Sequence, residues 1–226
     1  MLVPSAALAQ QETGLQQAAA TLGQNSVLIV LALTALSLAP GIAIMVTCFP
    51  FIVTVLSILR QSIGLQQSPP NMLIVSLAMF LTWFIMDPVL REAWQVAGAP
   101  LNAGSITLGE ALQRGIVPFQ HFMAARTDPD TLQGLAEIAP GADGPPDRLS
   151  VLVPAFMLSE IQRAFEIGFL VALPFLIIDL VVSAVLMSMG MMMVPPVVVA
   201  LPFKLAFFVV VDGWSLIAGA LVRSYQ

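Results

Sequence analysis

Apolar positions fall along this chain in long blocks rather than in the short alternations of a soluble domain. From Val27 to Leu59 there is no charge for 33 residues. As one helix that block would run about 50 Å, well beyond a hydrocarbon core of about 30 Å. It is therefore expected to break, with Pro40-Gly41 and Pro50 as the candidate breakpoints. A second block, Met72 to Met86, has only 15 residues and is expected to stop at Asp87-Pro88. A third and a fourth fill Leu152 to Val222 and carry Glu160, Arg163, Glu166, Asp179, Lys204 and Asp212.

Between the second and third blocks lies the polar part, residues 87–150, with eight acidic and four basic side chains. Inside it, Leu108, Leu112, Ile116 and Phe119 recur near helical spacing behind a start signal of Ser105, Thr107 and Glu110. The region reads as a small helical insert with a solvated acidic surface. Its shortage of Lys and Arg disfavours the cytoplasmic side of a membrane, and Pro140 to Arg148 reads as a linker. Ahead of the first block, residues 1–9 end in the small-x-small pattern of a signal-peptidase site at Ala9 and read as a signal-peptide remnant, with residues 10–26 a polar lead-in. The organisation that follows is a first hairpin region at 27–86, the insert at 87–150 and a second hairpin region at 151–226.

Composition places this pattern in a membrane. Hydrophobic residues make up 58% of the chain and charged ones 9%, and mean hydropathy is +0.95. The fold class expected is an all-α integral membrane protein of broken and hairpin helices. Each ionisable residue at a helix centre costs about 2.5 to 3.5 kcal/mol on insertion, so the charged third and fourth blocks should line an aqueous cavity, be covered by other protein or sit partly outside the bilayer. Short, proline-broken and charge-bearing blocks together point to an oligomeric assembly. A net charge of −5 and a single histidine exclude a phosphate-binding basic face. The one cysteine, Cys48, has an apolar setting and reads as a buried, inert thiol. No catalytic or phosphate-loop motif is present, no cofactor is implied, and the chain does not read as an enzyme.

The densest chemistry is "SMGMMMVPP", Ser188 to Pro196. Gly190 ends a helix at little cost and Pro195-Pro196 cannot continue one, so the methionines should occupy a non-helical loop. Such a loop cannot face hydrocarbon with its backbone groups unpaired, so it must line a cavity or lie within protein. Methionine is unbranched and deformable, and a ring formed by Met191, Met192 and Met193 from several copies would seal at rest and yield to a passing chain. Core filler is the plainer reading, but filler rarely comes three in a row between a glycine and two prolines. A Cu(I) membrane transporter is the sharper rival, since thioethers suit Cu(I); no cysteine or histidine stands near the row to help. Within the third block Glu160, Arg163 and Glu166 are spaced for pairing on one helix. Lys204 has no acid three or four residues away, so its partner must come from elsewhere in the fold. Arg60 marks a segment end or a partner contact.

"LTALSLAPGIAIMVTCFPFIVTVLSILRQSIGLQQSPPN" and "LVPAFMLSEIQRAFEIGFLVALPFLIIDLVVSAVLMSMGMMMVPPVVVALPFKLAFFVVVDGW" together resemble the FliP/SctR family of type III secretion export-gate subunits. The resemblance covers Leu31 to about Phe84 and Val151 to Val222. It implies a homo-oligomer, a pentamer in the family, that joins FliQ and FliR near FlhB and FlhA in a helical pore complex. That complex passes unfolded flagellar proteins across the bacterial inner membrane within the flagellar basal body, with part of the chain periplasmic. It implies that Met191 to Met193 form the pore gasket, and that Glu160 and Lys204 form an ion pair between neighbouring copies. At Phe49-Pro50-Phe51-Ile52 the chain departs from the family pattern, losing a basic residue and gaining a helix breaker.

Overall fold

The computed structural model describes residues 29–30, 33–34, 37–38, 40–64, 69–140, 145, 148–191 and 193–225. The signal-peptide remnant, the polar lead-in, Met192 and most of the Pro140–Arg148 linker lie outside them. Every regular element among the described residues is a helix, and two of the helical stretches are long and apolar enough to cross a membrane, so the protein is an all-α membrane protein. Residues up to 43 form one compact unit, with 29–30, 33–34 and 37–38 helical, and residues 44–226 form another.

The second unit is built around α1, Phe49–Ile63. Residues 40–45 are helical, residue 39 ahead of Pro40 lies outside the described residues, and the chain leaves the helix at 46–48. Pro50 then sits in the first turn of α1, where its missing N–H costs nothing and its fixed φ suits a helix. Phe51, Ile52, Val55, Leu56, Leu59 and Ile63 of α1 are all at most 1% exposed, and each contributes about 1.5–3 kcal/mol by burial. Phe51 is fully buried, so the departure noted at Phe49-Pro50-Phe51-Ile52 falls in a dry place. Cys48, just ahead of the helix, is fully buried too. At the far end Gly64 adopts φ +90. There Arg60 donates to the Pro69 carbonyl (3.4 Å) and to Asn71 Oδ1, so it closes the turn into the next helix.

That next helix, α2 (Asn71–Ala93), does not stop at Asp87-Pro88. It continues through a π-helical turn, Trp94–Gly98, into α3, Ala99–Asn102. Proline removes one hydrogen bond but does not end a long helix whose flanks are held by packing. Asp87 stays helical by pairing with Arg91 one turn on, at 2.8 Å. The wider π turn follows six residues after Pro88.

After Asn102 the insert continues as the short helices α4 (Leu108–Gly115), α5 (Val117–Arg126) and α6 (Pro129–Ile138). The start signal of α4 is a capping box: Thr107 Oγ1 accepts from the Glu110 N–H while the Glu110 carboxylate accepts from the Thr107 N–H. Its apolar stripe faces outward, with Leu108 and Leu112 65% and 68% exposed. Helical spacing was legible there; the direction of the face was not. Met123, Leu152 and Phe156 form a small core that seats α5 on the long helix beginning at Leu149.

Helix α7, Leu149–Ser188, runs 40 residues through Pro154 and Pro174. It is the main neighbour of α1, and Gly168 allows the approach: a Cβ there would lie 2.4 Å from Ile58. The chain returns as α8 (Pro196–Val210) and α9 (Gly213–Arg223), bent by 62° at Asp212. Two helical stretches, Asn71–Asn102 and Leu149–Ser188, are long and apolar enough to cross a membrane, and α8 with α9 makes a third if counted as one broken span.

Candidate functional site: a methionine-tipped hairpin over a buried ion pair

The tip of the α7–α8 hairpin is defined by its backbone. Gly190 takes φ +76; its N–H donates to the Met187 carbonyl, and the Met191 N–H donates to the Leu186 carbonyl, both at 3.0 Å. These are the paired bonds of a Schellman cap, which satisfies carbonyls the helix end leaves free. Met191 and Leu186 then line one apolar cavity of about 550 Å³ with Met189, Ile178 and Phe203. Pro195 precedes and Pro196 opens α8. Gly190, Pro195 and Pro196 thus bound a non-helical tip, as their residue types require.

The tip presents thioethers outward. Met193 is 97% exposed and Met191 43%, so nothing in the described chain covers Met193. Met187, Met189, Val197 and Val198 beside it are exposed too, so the tip and its flanks form one apolar face.

Behind the tip the hairpin is tied by charge. Lys204 Nζ donates to Asp179 Oδ2 at 2.6 Å and to the Ser62 carbonyl at 2.9 Å. Lys204 is 4% exposed, and its contacts join α8 to α7 and to the end of α1. The other Asp179 oxygen, Oδ1, is buried with no hydrogen-bond partner among the described residues. Asp179, named in the sequence only as one of the charges of the apolar blocks, is the partner that Lys204 finds elsewhere in the fold. A signal existed: in an antiparallel hairpin centred on Met191 and Met192, residues 179 and 204 stand twelve positions from the centre on either arm and so face each other.

Glu160 and Lys204 are not brought together within the chain. The Glu160 carboxylate, fully buried, accepts from Arg126 Nε at 3.2 Å and Arg163 Nη1 at 3.4 Å through Oε1, and from the Tyr225 hydroxyl through Oε2. The anticipated Glu160–Arg163 spacing is realised; Glu166 accepts instead from Gln162 Nε2 at 3.3 Å. Glu160 belongs to the junction of insert and hairpin, away from the methionine tip. Among the described residues no group of three or more His, Cys, Asp or Glu side chains could hold a metal ion.

Comparison with known proteins agrees with the sequence pattern. The sequence profile of the FliP family matches residues 32–221. The flagellar biosynthetic protein FliP of Caulobacter vibrioides is 48% identical over 229 residues, covering 100% of this chain and 86% of that protein. The FliP protein of Rhizobium meliloti is 50% identical over 198 residues, 85% of this chain and 81% of its own. That of Bacillus subtilis is 46% identical over 205 residues, 89% of this chain and 92% of its own. The chain belongs to the FliP family.

Proposed function

We propose that this protein is a membrane component of the flagellar export apparatus, and that several copies line a pore closed at rest by their methionine tips. It is a conduit subunit and not a catalyst. Membership of the FliP family, whose relatives are flagellar biosynthetic proteins, supports the flagellar role. The observation that carries the closing role is the tip itself: a rigidly capped hairpin offering an uncovered Met193. Flexible thioethers from neighbouring copies would exclude ions when packed together and part around an unfolded chain. In this reading FliQ and FliR complete the pore, FlhB and FlhA stand near it, and unfolded flagellar proteins pass through. The pore sits in the bacterial inner membrane at the basal body, with the acidic insert on the periplasmic side.

Deleting Met191 to Met193 tests the seal. The reading requires an assembled complex that leaks ions; an assembled, ion-tight complex that exports normally contradicts it.

The Glu160–Lys204 pair between copies is a further part of the proposal, and it demands an exchange of partners, because each already has ionic contacts in its own chain. Charge reversal separates the possibilities. If the pair forms, Lys204→Glu loses assembly and Glu160→Lys restores it. Restoration by Asp179→Lys instead assigns the loss to the hairpin's own pair.

A further inference from the structure

The residues around Glu160 come from segments far apart in sequence and touch neither the methionine tip nor the Asp179–Lys204 pair. Arg126 is the last residue of α5, in the insert. Its Nη1 donates to the Ser224 carbonyl at 2.8 Å, just past the end of α9, and its guanidinium lies 4.1 Å from the centre of the Tyr225 ring. That ring is held on two further sides: stacked on Phe122 of α5 at 6.1 Å, and edge-on to Phe51 of α1 at 5.5 Å. Its hydroxyl reaches Glu160 on α7. One residue earlier, Ser159 Oγ accepts from the Asp128 N–H at 2.9 Å, where α6 begins.

We propose that Glu160, Arg126 and Tyr225 form a latch that locks the acidic insert onto the α7–α9 hairpin region, with Tyr225 as its positioning residue. The physical argument is one of satisfaction. A carboxylate with no exposed surface must have its lone pairs met by donors, and charged donors hold it most strongly. Oε1 takes the two arginines and Oε2 the phenol, so three separate segments are bound by a single group. Removal of any one donor leaves a buried charge short of a partner.

Two consequences follow. The insert does not move freely on its linkers but travels with α7 and α9 as one body. The insert and residues 224–225 are also held against each other, through Arg126 and the Ser224 carbonyl. A cation from a neighbouring copy reaches Glu160 only by displacing one of the latch donors, so the complete latch and a Glu160–Lys204 pair between copies exclude one another.

Hydrogen exchange on the full chain in detergent tests this. Tyr225→Phe keeps the ring contacts with Phe51, Phe122 and Arg126 and removes only the hydroxyl that meets Glu160. Exchange of the α5 and α6 amides is expected to rise about tenfold, the effect of one hydrogen bond to a charged group, while α8 amides keep wild-type rates. Arg126→Lys, which retains the charge but loses the fork and the ring contact, should loosen the same amides. Wild-type rates in α5 and α6 of Tyr225→Phe would overturn the proposal. So would an equal rise in α8, which would mean general loosening instead of a local latch.

Discussion

Replacing Lys204 by methionine removes the cation from the hairpin while keeping most of its apolar length. The structure sets the size of the effect. Lys204 is 4% exposed, but the Asp179 side chain that it pairs with is 34% exposed. Breaking a buried pair from one side costs about 3–5 kcal/mol, and water reaching Asp179 lowers this to about 2–3 kcal/mol. The Asp179 Oδ1 already lacks a hydrogen bond among the described residues, so the stranded carboxylate has little else to turn to. For a chain of this size each kcal/mol shifts the melting temperature by about 2–4 °C, giving a fall of about 4–12 °C for Lys204→Met in detergent. Removing both charges together, as Asp179→Leu with Lys204→Met, should recover most of the loss, because an apolar pair can replace an ionic one nearly neutrally. The double-mutant cycle is the assay. Additive losses in the cycle would refute the claim that these two side chains form one coupled unit.

Other consequences are equally specific. Gly190→Val forces a β-branched residue into φ +76 and should cost about 1–2 kcal/mol, read as a lower melting temperature with the insert unaffected. Gly168→Val drives side-chain atoms into Ile58 and should cost about 1–3 kcal/mol as overpacking between α1 and α7, whereas Gly134→Ala, with open space at its Cβ, should not destabilise. In the insert, hydrogen bonds from the Thr107 and Thr131 backbone hold the Glu110 and Asp128 carboxyls below their ordinary values of 4.5 and 3.8. A depressed carboxylate stabilises the fold above its unfolded pKa and loses that contribution as pH falls through the folded one. The α4 and α6 amides should therefore exchange at constant protection from pH 7 down to about 5 and lose it below about 4; protection that stays flat to pH 2.5 would contradict the caps.

What the sequence made legible was whatever depends on local chemistry. The Gly190 and Pro195-Pro196 boundaries and the Thr107–Glu110 start of α4 each follow from residue types whose backbone preferences tertiary context did not override. Pro88 shows the opposite case: inside a helix packed along α1 and α5, one lost hydrogen bond is affordable, so the stop signal failed. The outward face of Leu108 and Leu112 was illegible because periodicity reveals that a helix has an apolar side but not what covers it. The partners of Glu160 were illegible for another reason. Arg126 and Tyr225 lie 34 positions before it and 65 after it, and no local pattern reports such a meeting. Lys204 and Asp179, by contrast, could have been paired from hairpin symmetry alone.

The central claim, that methionine tips from several copies converge on one axis, is tested most directly by disulfide cross-linking of Met193→Cys in a Cys48→Ala background within the assembled complex. Convergence predicts covalently linked copies under mild oxidation, with no link for a cysteine placed at exposed Gln133 in the insert. A Met193→Cys complex that reacts freely with a maleimide yet never links would contradict the account, since tips that stay apart cannot seal a pore.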